Sequence, residues 1–361
     1  IKTADDLAAL PILDKQTVRD NVELLKPKSL EQIPHITEHT SGSTGSSLIF
    51  PQSVDNVRDL WAAFWRFWNR IGIEYGTRYA DFGSRTIVPP NQRKPPFWRE
   101  CQPLFQIKFS AFHGNDENYM AYFKAINDYG LTWIHGYPSC IMPFASFVAQ
   151  NGLTFDKPIK AVTASAENLY GYQRSIIEKA FGVQPHALYG LTEAVACIGE
   201  DADHDYIVDE DYSAVEFIEC GDYSRIVGSN LTNFAFPLLR YDTGDLAITT
   251  DRLKNGRRVI ERIDGRTGEL LSLPDGGKVG ALSALFTESA TIKEAQIHQL
   301  EDYSVEISFV PLSDNYTEDI AEAEKRFRDR TKGMLPVSFK RVDGIERTKR
   351  GKLRYVVSDI K

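Results

Sequence analysis

Apolar and polar positions alternate with two different periods along this chain, and the period changes divide it into zones. Residues 55–72, DNVRDLWAAFWRFWNRIG, carry Trp61, Phe64, Trp65 and Trp68 at helical spacing with charges elsewhere on the wheel, which predicts an amphipathic helix. Its rings either face the core or also line an apolar cavity. From about residue 120, helical stretches (117–130 and 169–182) alternate with short apolar strands: LTWIHG, IKAVTAS and PHALYG. That alternation predicts an α/β sheet with helices on its faces.

After about residue 205 the helices fade and strand-like segments with turn residues take over, as in YSAVEFIE, SRIVGSNL, DLAITT and RRVIERI. The tail changes again. YSVEISFV alternates at period two, residues 317–333 form a helix opened by Thr317 with acids in its first turn, and VSFKRVDG is a further strand. The expectation is a large mixed α/β domain over 1–263, a hinge over 264–268 within RIDGRTGE, and a small α+β domain over 269–361.

Composition narrows the class. Of 361 residues, 42% are apolar and 25% charged, as in ordinary globular proteins. A formal charge of -8 argues against a nucleic-acid binder, which needs a basic face. Cys101, Cys140, Cys197 and Cys220 lie far apart without a C-x-x-C pair, which favours reduced thiols and a cytoplasmic setting. No apolar run approaches membrane-spanning length, so no membrane partner is expected.

The candidate chemistry begins at residues 39–47, HTSGSTGSS. No lysine follows its second glycine, so it is not a standard nucleoside-triphosphate P-loop. Glycines let backbone N–H groups turn toward an anion, and Ser41, Ser43 and Thr44 add hydroxyl donors; the same composition also suits a flexible joint. Three other stretches bear on the choice. ALYGLTEA (187–194) places an aromatic, a glycine, a hydroxyl and a carboxylate together; PLLRYDTGDLA (237–247) ends its motif in glycine-aspartate; IERTKRGKLRYVV (345–357) carries a glycine-lysine in a basic tail.

In this order the four stretches resemble the acyl-adenylate-forming superfamily. LPILDKQTVRDN (10–21), HGYPS (135–139), FPLLRYDTGD and RIDGRTGELLSLPDGGKV make the chain similar to its phenylacetate-coenzyme A ligase-like, CapK-type branch. The resemblance spans essentially the whole chain, although family members usually begin further upstream and this chain looks short at its N-terminus. It implies ATP- and Mg²⁺-dependent conversion of a carboxylic acid to an acyl-AMP with loss of pyrophosphate, then acyl transfer to coenzyme A. An aromatic or apolar acid is the favoured substrate. Alternatives are an amine, carrier-protein thiol or hydroxyl acceptor, or a catalytically silent nucleotide-binding protein. A carrier protein and a second copy of the chain are further candidate partners.

The same resemblance assigns roles. Lys352 matches the catalytic tail lysine that bridges carboxylate and α-phosphate; Glu193 matches the Mg²⁺-holding acid; Thr192 would bond the α-phosphate. Thr40, Ser41, Gly42, Ser43, Thr44 and Gly45 would cradle phosphates, so that the lysine missing from the loop is supplied by Lys352. Tyr189, beside Gly190, would stack on adenine, with Ala166 and Glu167 flanking it; Asp245 and Arg266 would meet the ribose. Tyr137, Pro138 and Ser139 would wall the acyl pocket, or form only a tight turn. At the hinge, Gly268 stands where relatives often carry an Asp two residues after the linker arginine, so the expected carboxylate is displaced to Glu269. Cys197, His204 and Cys220 suggest a zinc-binding stretch seen in some relatives, but three ligands fall short of a closed four-ligand site. His35 and His39, on a segment read as a strand, are expected to be structural.

Overall fold

The computed structural model describes residues 4–40, 48–83, 86–266, 270–280, 282–286, 289, 291–347 and 353–360. Along the chain these form α1 (Lys15–Asp20), α2 (Val22–Leu25), β1 (His35–His39), β2 (Ile49–Ser53) and α3 (Val54–Arg70). Then follow β3 (Tyr79–Phe82), β4 (Trp98–Cys101), β5 (Gln106–Phe109), α4 (Asp116–Asp128), β6 (Trp133–Gly136), α5 (Pro138–Gln150), β7 (Ala161–Ser165) and α6 (Gly171–Phe181). Next come β8 (Pro185–Gly190), β9 (Cys197–Glu200), β10 (Tyr206–Val208), β11 (Ser213–Cys220), β12 (Tyr223–Asn230), β13 (Tyr241–Lys254) and β14 (Arg257–Arg266). The last are β15 (Leu271–Ser272), β16 (Lys278–Val279), β17 (Ile292–Gln299), β18 (Val305–Pro311), α7 (Thr317–Arg330), β19 (Val337–Arg341) and β20 (Val356–Ser358). The mixed α/β class expected from the sequence is the observed one.

Two compact units are each assembled from two chain segments: Ile1–Tyr75 with Ala187–Thr267, and Gly76–His186 with Gly268–Lys361. In the first, β11, β12, β13, β14, β10, β9 and β8 lie side by side as antiparallel neighbours. This is the strand-rich zone of the sequence, and its alternating residues bury Ile198, Val208, Ile226, Ala247 and Ile260 in one core. The β1–β2 hairpin brings Ser53 to the start of α3, where its hydroxyl accepts the Asn56 N–H at 3.2 Å as an N-cap. His35 and His39 stand on that strand, as read.

The ring pattern of α3 is helical, but its buried stripe is rotated from the four aromatic positions singled out above. Asn56, Ala63, Phe67 and Trp68 are buried, whereas Trp61, Phe64 and Trp65 are only half-buried. The cause is Gly199 in β9: a Cβ there would meet Phe67 Cδ2 at 2.6 Å, so the missing side chain admits Phe67 and sets the helix rotation.

In the second unit β7, β6, β3 and β5 are parallel neighbours and β4 closes the edge antiparallel. The helices α4, α5 and α6 supply apolar faces to its core, including Tyr122, Phe144 and Ile177. The C-terminal segment forms the order β19-β18-β17-β20, with β17–β18 antiparallel and the outer pairings parallel. Its helix α7 buries Ala323 and Phe327. Thr317 is the first residue of this helix and Tyr316 is the N-cap position, without a side-chain cap bond.

Candidate active site

Within the first unit, two strands present phenols to carboxylates in a reciprocal arrangement. Tyr189, near the end of β8, donates its hydroxyl to Asp245 Oδ2 at 2.8 Å. Four residues after Tyr189 on one segment and four before Asp245 on the other the roles are exchanged: Tyr241, opening β13, donates to Glu193 Oε1 at 3.0 Å. Three of these four were singled out in the sequence, and the fold joins them through Tyr241. The turn 191–196 that carries Glu193 lies tight on the sheet because Gly228 in β12 lacks a side chain. A Cβ at Gly228 would stand 2.0 Å from the Val195 carbonyl oxygen, so any other residue would push the turn away.

Glu193 is 4% exposed. Beside the Tyr241 hydroxyl it has, among the described residues, one neighbouring cation, Lys15, whose Nζ lies 3.6 Å from Oε1. That distance exceeds a hydrogen bond. Lys15 reaches it because residue 13 pairs with β13: the Leu13 N–H donates to the Arg240 carbonyl at 2.8 Å, and the Asp242 N–H to the Leu13 carbonyl at 2.8 Å. Asp14 then caps α1 by accepting from the Thr17 N–H and hydroxyl, both at 2.8 Å, and Lys15 follows it. Those hydrogen bonds hold the Asp14 carboxyl below its usual range. Both Tyr241 and Lys15 lie inside stretches that the sequence analysis quoted, FPLLRYDTGD and LPILDKQTVRDN, yet no role was read for either. Their only sequence signal was membership of those motifs.

A buried carboxylate with a neutral phenol as its hydrogen-bond partner among the described residues, near the Thr192 hydroxyl in sequence, is a hard-oxygen donor set. It is the kind of donor set that the Mg²⁺ expected from the sequence resemblance would take. Asp245 lies opposite Arg266 in the β13–β14 register, which brings the two ribose candidates side by side in the sheet. Thr40 is buried and closes the base of the glycine-hydroxyl loop, its N–H donating to the Leu48 carbonyl at 2.9 Å and its Oγ accepting the Leu48 N–H at 3.1 Å. The cradle candidates Ser41, Gly42, Ser43, Thr44 and Gly45, with Lys352 and Gly268, lie outside the described residues.

In the second unit the fold joins two more of the candidates. Tyr137 is the N-cap position of α5 and Pro138 its first residue. The Ser139 N–H and hydroxyl donate to Glu167 Oε2 and Oε1, each at 3.0 Å. Ala166 preceding it has φ +66°, the left-handed region, which turns Glu167 off the end of β7 toward α5. The HGYPS stretch is therefore a strand-to-helix junction and not a free turn.

Cys197 and His204 take different hydrogen-bond partners. Ile198 and Glu200 point to one face of β9 and Cys197 to the other. His204 Nδ1 lies 3.1 Å from Glu200 Oε2, while the Cys197 thiol donates to Asp209 Oδ2 at 3.7 Å. Burial, reinforced by Asp209, pushes the Cys197 thiol far above its usual range. Cys220, at the end of β11, is exposed.

Residues 271–359 match the CapK C-terminal domain model. Over 374 aligned positions the chain is 28% identical to the protein CapK of Staphylococcus aureus, covering 99% of this chain and 82% of that protein. Over 130 positions it is 34% identical to the indoleacetate–lysine synthetase of Pseudomonas savastanoi, covering 35% of this chain and 32% of that enzyme. Among solved structures, a 2-hydroxyisobutyryl-CoA ligase in the postadenylation state with 2-HIB-AMP superposes with a TM-score of 0.70 at 17% identity, over 99% of this chain and 82% of the ligase. An anthranilate CoA ligase in complex with anthranoyl-AMP gives 0.63 at 12% identity, over 88% and 65%. The chain thus has the fold of the adenylate-forming ligases and is a homologue of CapK, with a CapK C-terminal domain over residues 271–359.

Proposed function

We propose that this protein joins a carboxylic acid to AMP, using ATP and releasing pyrophosphate, and then hands the acyl group to a nucleophile. The observation that carries this reading is the reciprocal pair Tyr189–Asp245 and Tyr241–Glu193, which puts a ring, two carboxylates and the Thr192 hydroxyl on one short stretch of two segments.

A carboxylate is a poor electrophile because its oxygen does not leave, whereas AMP is a good leaving group. In the first step a carboxylate oxygen attacks the α-phosphorus, and the bond from that phosphorus to the bridging oxygen of pyrophosphate breaks. Two anions must approach, so preorganised positive charge and hydrogen-bond donors carry the catalysis. In this reading Tyr189 stacks on the adenine while its hydroxyl orients Asp245 to accept the ribose hydroxyls. Thr192 donates to the α-phosphate, and Lys352 bridges both anions. Glu193 would hold Mg²⁺, which when bound would supply charge that offsets that of the triphosphate. Lys15, with its Nζ 3.6 Å from Glu193 Oε1, offsets part of that carboxylate's charge in the free enzyme.

Coenzyme A is the acceptor in our first reading. A second reading, an amine acceptor, is supported by the similarity to an indoleacetate–lysine synthetase. The test is ATP-dependent pyrophosphate release with Mg²⁺ across aryl, fatty and amino acids, with coenzyme A or lysine added in turn. Release that depends on one acid, abolished by Lys352→Ala with nucleotide binding retained, is expected. ATP binding without release for any acid would overturn the reading in favour of a silent nucleotide binder.

A further inference from the structure

Within the second unit the C-terminal segment packs on the 76–186 segment, and a row of three buried tyrosines crosses from one to the other. By its backbone Tyr355 belongs to the C-terminal sheet: the Ile297 N–H donates to the Tyr355 carbonyl at 2.8 Å, just ahead of β20. Its hydroxyl donates to the Leu282 carbonyl at 3.1 Å, in the same segment. Its ring instead stacks on Tyr170, the N-cap position of α6, with centroids 4.3 Å apart and planes at 29°. Tyr172 extends the row, 6.1 Å from Tyr170 and nearly parallel to it. The tail has a second fixed point eight residues earlier. Arg347 Nη2 donates to Glu294 Oε1 of β17 at 2.7 Å, and Arg347 faces Leu353 across an antiparallel bridge.

Resting on the adenylation reading, we propose that Tyr355, through its stack on Tyr170, is a positioning residue that fixes the C-terminal tail against α6 for the first half-reaction. In the chain Lys352 lies between the two fixed points, five residues after Arg347 and three before Tyr355. Three residues of extended chain span at most about 11 Å, so holding Tyr355 limits where the lysine amine can go. The stack also stands close in the chain to nucleotide candidates. Tyr170 follows Glu167 by three residues, and Glu167 accepts both Ser139 bonds. Adenylation needs a cation held between two anions in a fixed geometry, which an anchored tail provides. In acyl transfer the nucleophile attacks the acyl carbon and AMP departs, and no carboxylate has to be brought up to a phosphate. The stack therefore serves the first step and not the second.

The test separates the two half-reactions in the full chain. Acid-dependent pyrophosphate release is measured over the same panel of aryl, fatty and amino acids. Acyl transfer is measured from the synthetic acyl-AMP of the acid turned over, with coenzyme A or lysine as acceptor. Amide hydrogen exchange over residues 353–358 reports on the tail itself. The variants are Tyr170→Leu, which keeps apolar bulk but loses the ring and alters no residue of the C-terminal sheet, and Tyr170→Phe, which keeps the ring. Tyr170→Leu should lower kcat for pyrophosphate release roughly threefold to tenfold, the scale of one aromatic stack, with KM for ATP and acyl transfer unchanged and exchange over 353–358 faster. Tyr170→Phe should restore wild-type behaviour in all of these. Equal losses in both half-reactions would mark a merely structural role and overturn the inference. Wild-type pyrophosphate release, or unaltered exchange over 353–358, in Tyr170→Leu would overturn it too, and in each of these cases adenylation stands. If the wild type releases pyrophosphate with no acid, adenylation fails and takes the positioning role with it.

Discussion

Glu193 and Asp209 are both buried carboxylates in the same unit, and the protein treats them in opposite ways. Asp209, fully buried, has three guanidinium groups around it: Arg257 at 2.5 Å, Arg70 at 2.6 Å and Arg66 at 3.2 Å, with the Cys197 thiol at 3.7 Å. Glu193 takes one phenol hydrogen bond and a lysine beyond hydrogen-bond reach. Burial removes water from both, so each needs compensation for its charge. Asp209 finds it entirely within the chain and ties α3 to β14. Glu193 has fewer cations around it among the described residues, as its proposed role toward a metal–nucleotide complex would require. Equal burial thus says little about role. The number of committed charges around the group says much more.

The largest expected effect breaks the saturated member. Asp209→Asn leaves three arginines facing a neutral side chain and should cost about 3–5 kcal/mol of stability, read in denaturant melts, with KM for ATP unchanged in the folded fraction. Glu193→Gln should do the reverse, lowering adenylation about 100-fold or more while the melting midpoint stays near wild type, because Tyr241 can still donate to the amide oxygen. A drop in stability with unaltered turnover would place Glu193 in the same class as Asp209 and dissolve the comparison. Tyr189→Phe sharpens it further. Loss of the hydroxyl frees Asp245 from one hydrogen bond worth about 1 kcal/mol, so KM for ATP should rise roughly fivefold with the ring still able to stack.

The smallest effect comes from a half-buried reference at the surface. Asp205 accepts from Arg252 and Lys254, and these bonds hold its carboxyl below the usual 3.8. A lowered folded value means stability that is fully present above pH 3.8 and lost as pH falls through the folded value. Solvent screening keeps that contribution slight. Lys254→Ala should therefore shift the melting temperature barely at pH 7, and the shift should disappear in melts well below pH 3.8.

The elements themselves were largely legible. Short apolar runs located β6, β7 and β8, and helical or period-two spacing located α4, α6, β18 and α7, because burial on both faces leaves a continuous apolar run and burial on one face imprints its period on the sequence. The motif residues Tyr189, Glu193 and Asp245 were legible through their stretches. The Glu193 hydrogen bond from Tyr241, the approach of Lys15 and the arginine set of Asp209 were not, since each joins residues separated by tens to hundreds of positions. The rotation of α3 was not legible for the same reason: its ring positions were visible, but Gly199 bears on which of them is buried. What the sequence by itself determined is local, namely periodicity, turn chemistry and the order of reactive residues along the chain. What only the tertiary structure decided is which charges compensate one another. Electrostatic partnership depends on distance through space, and chain order constrains that distance only within an element.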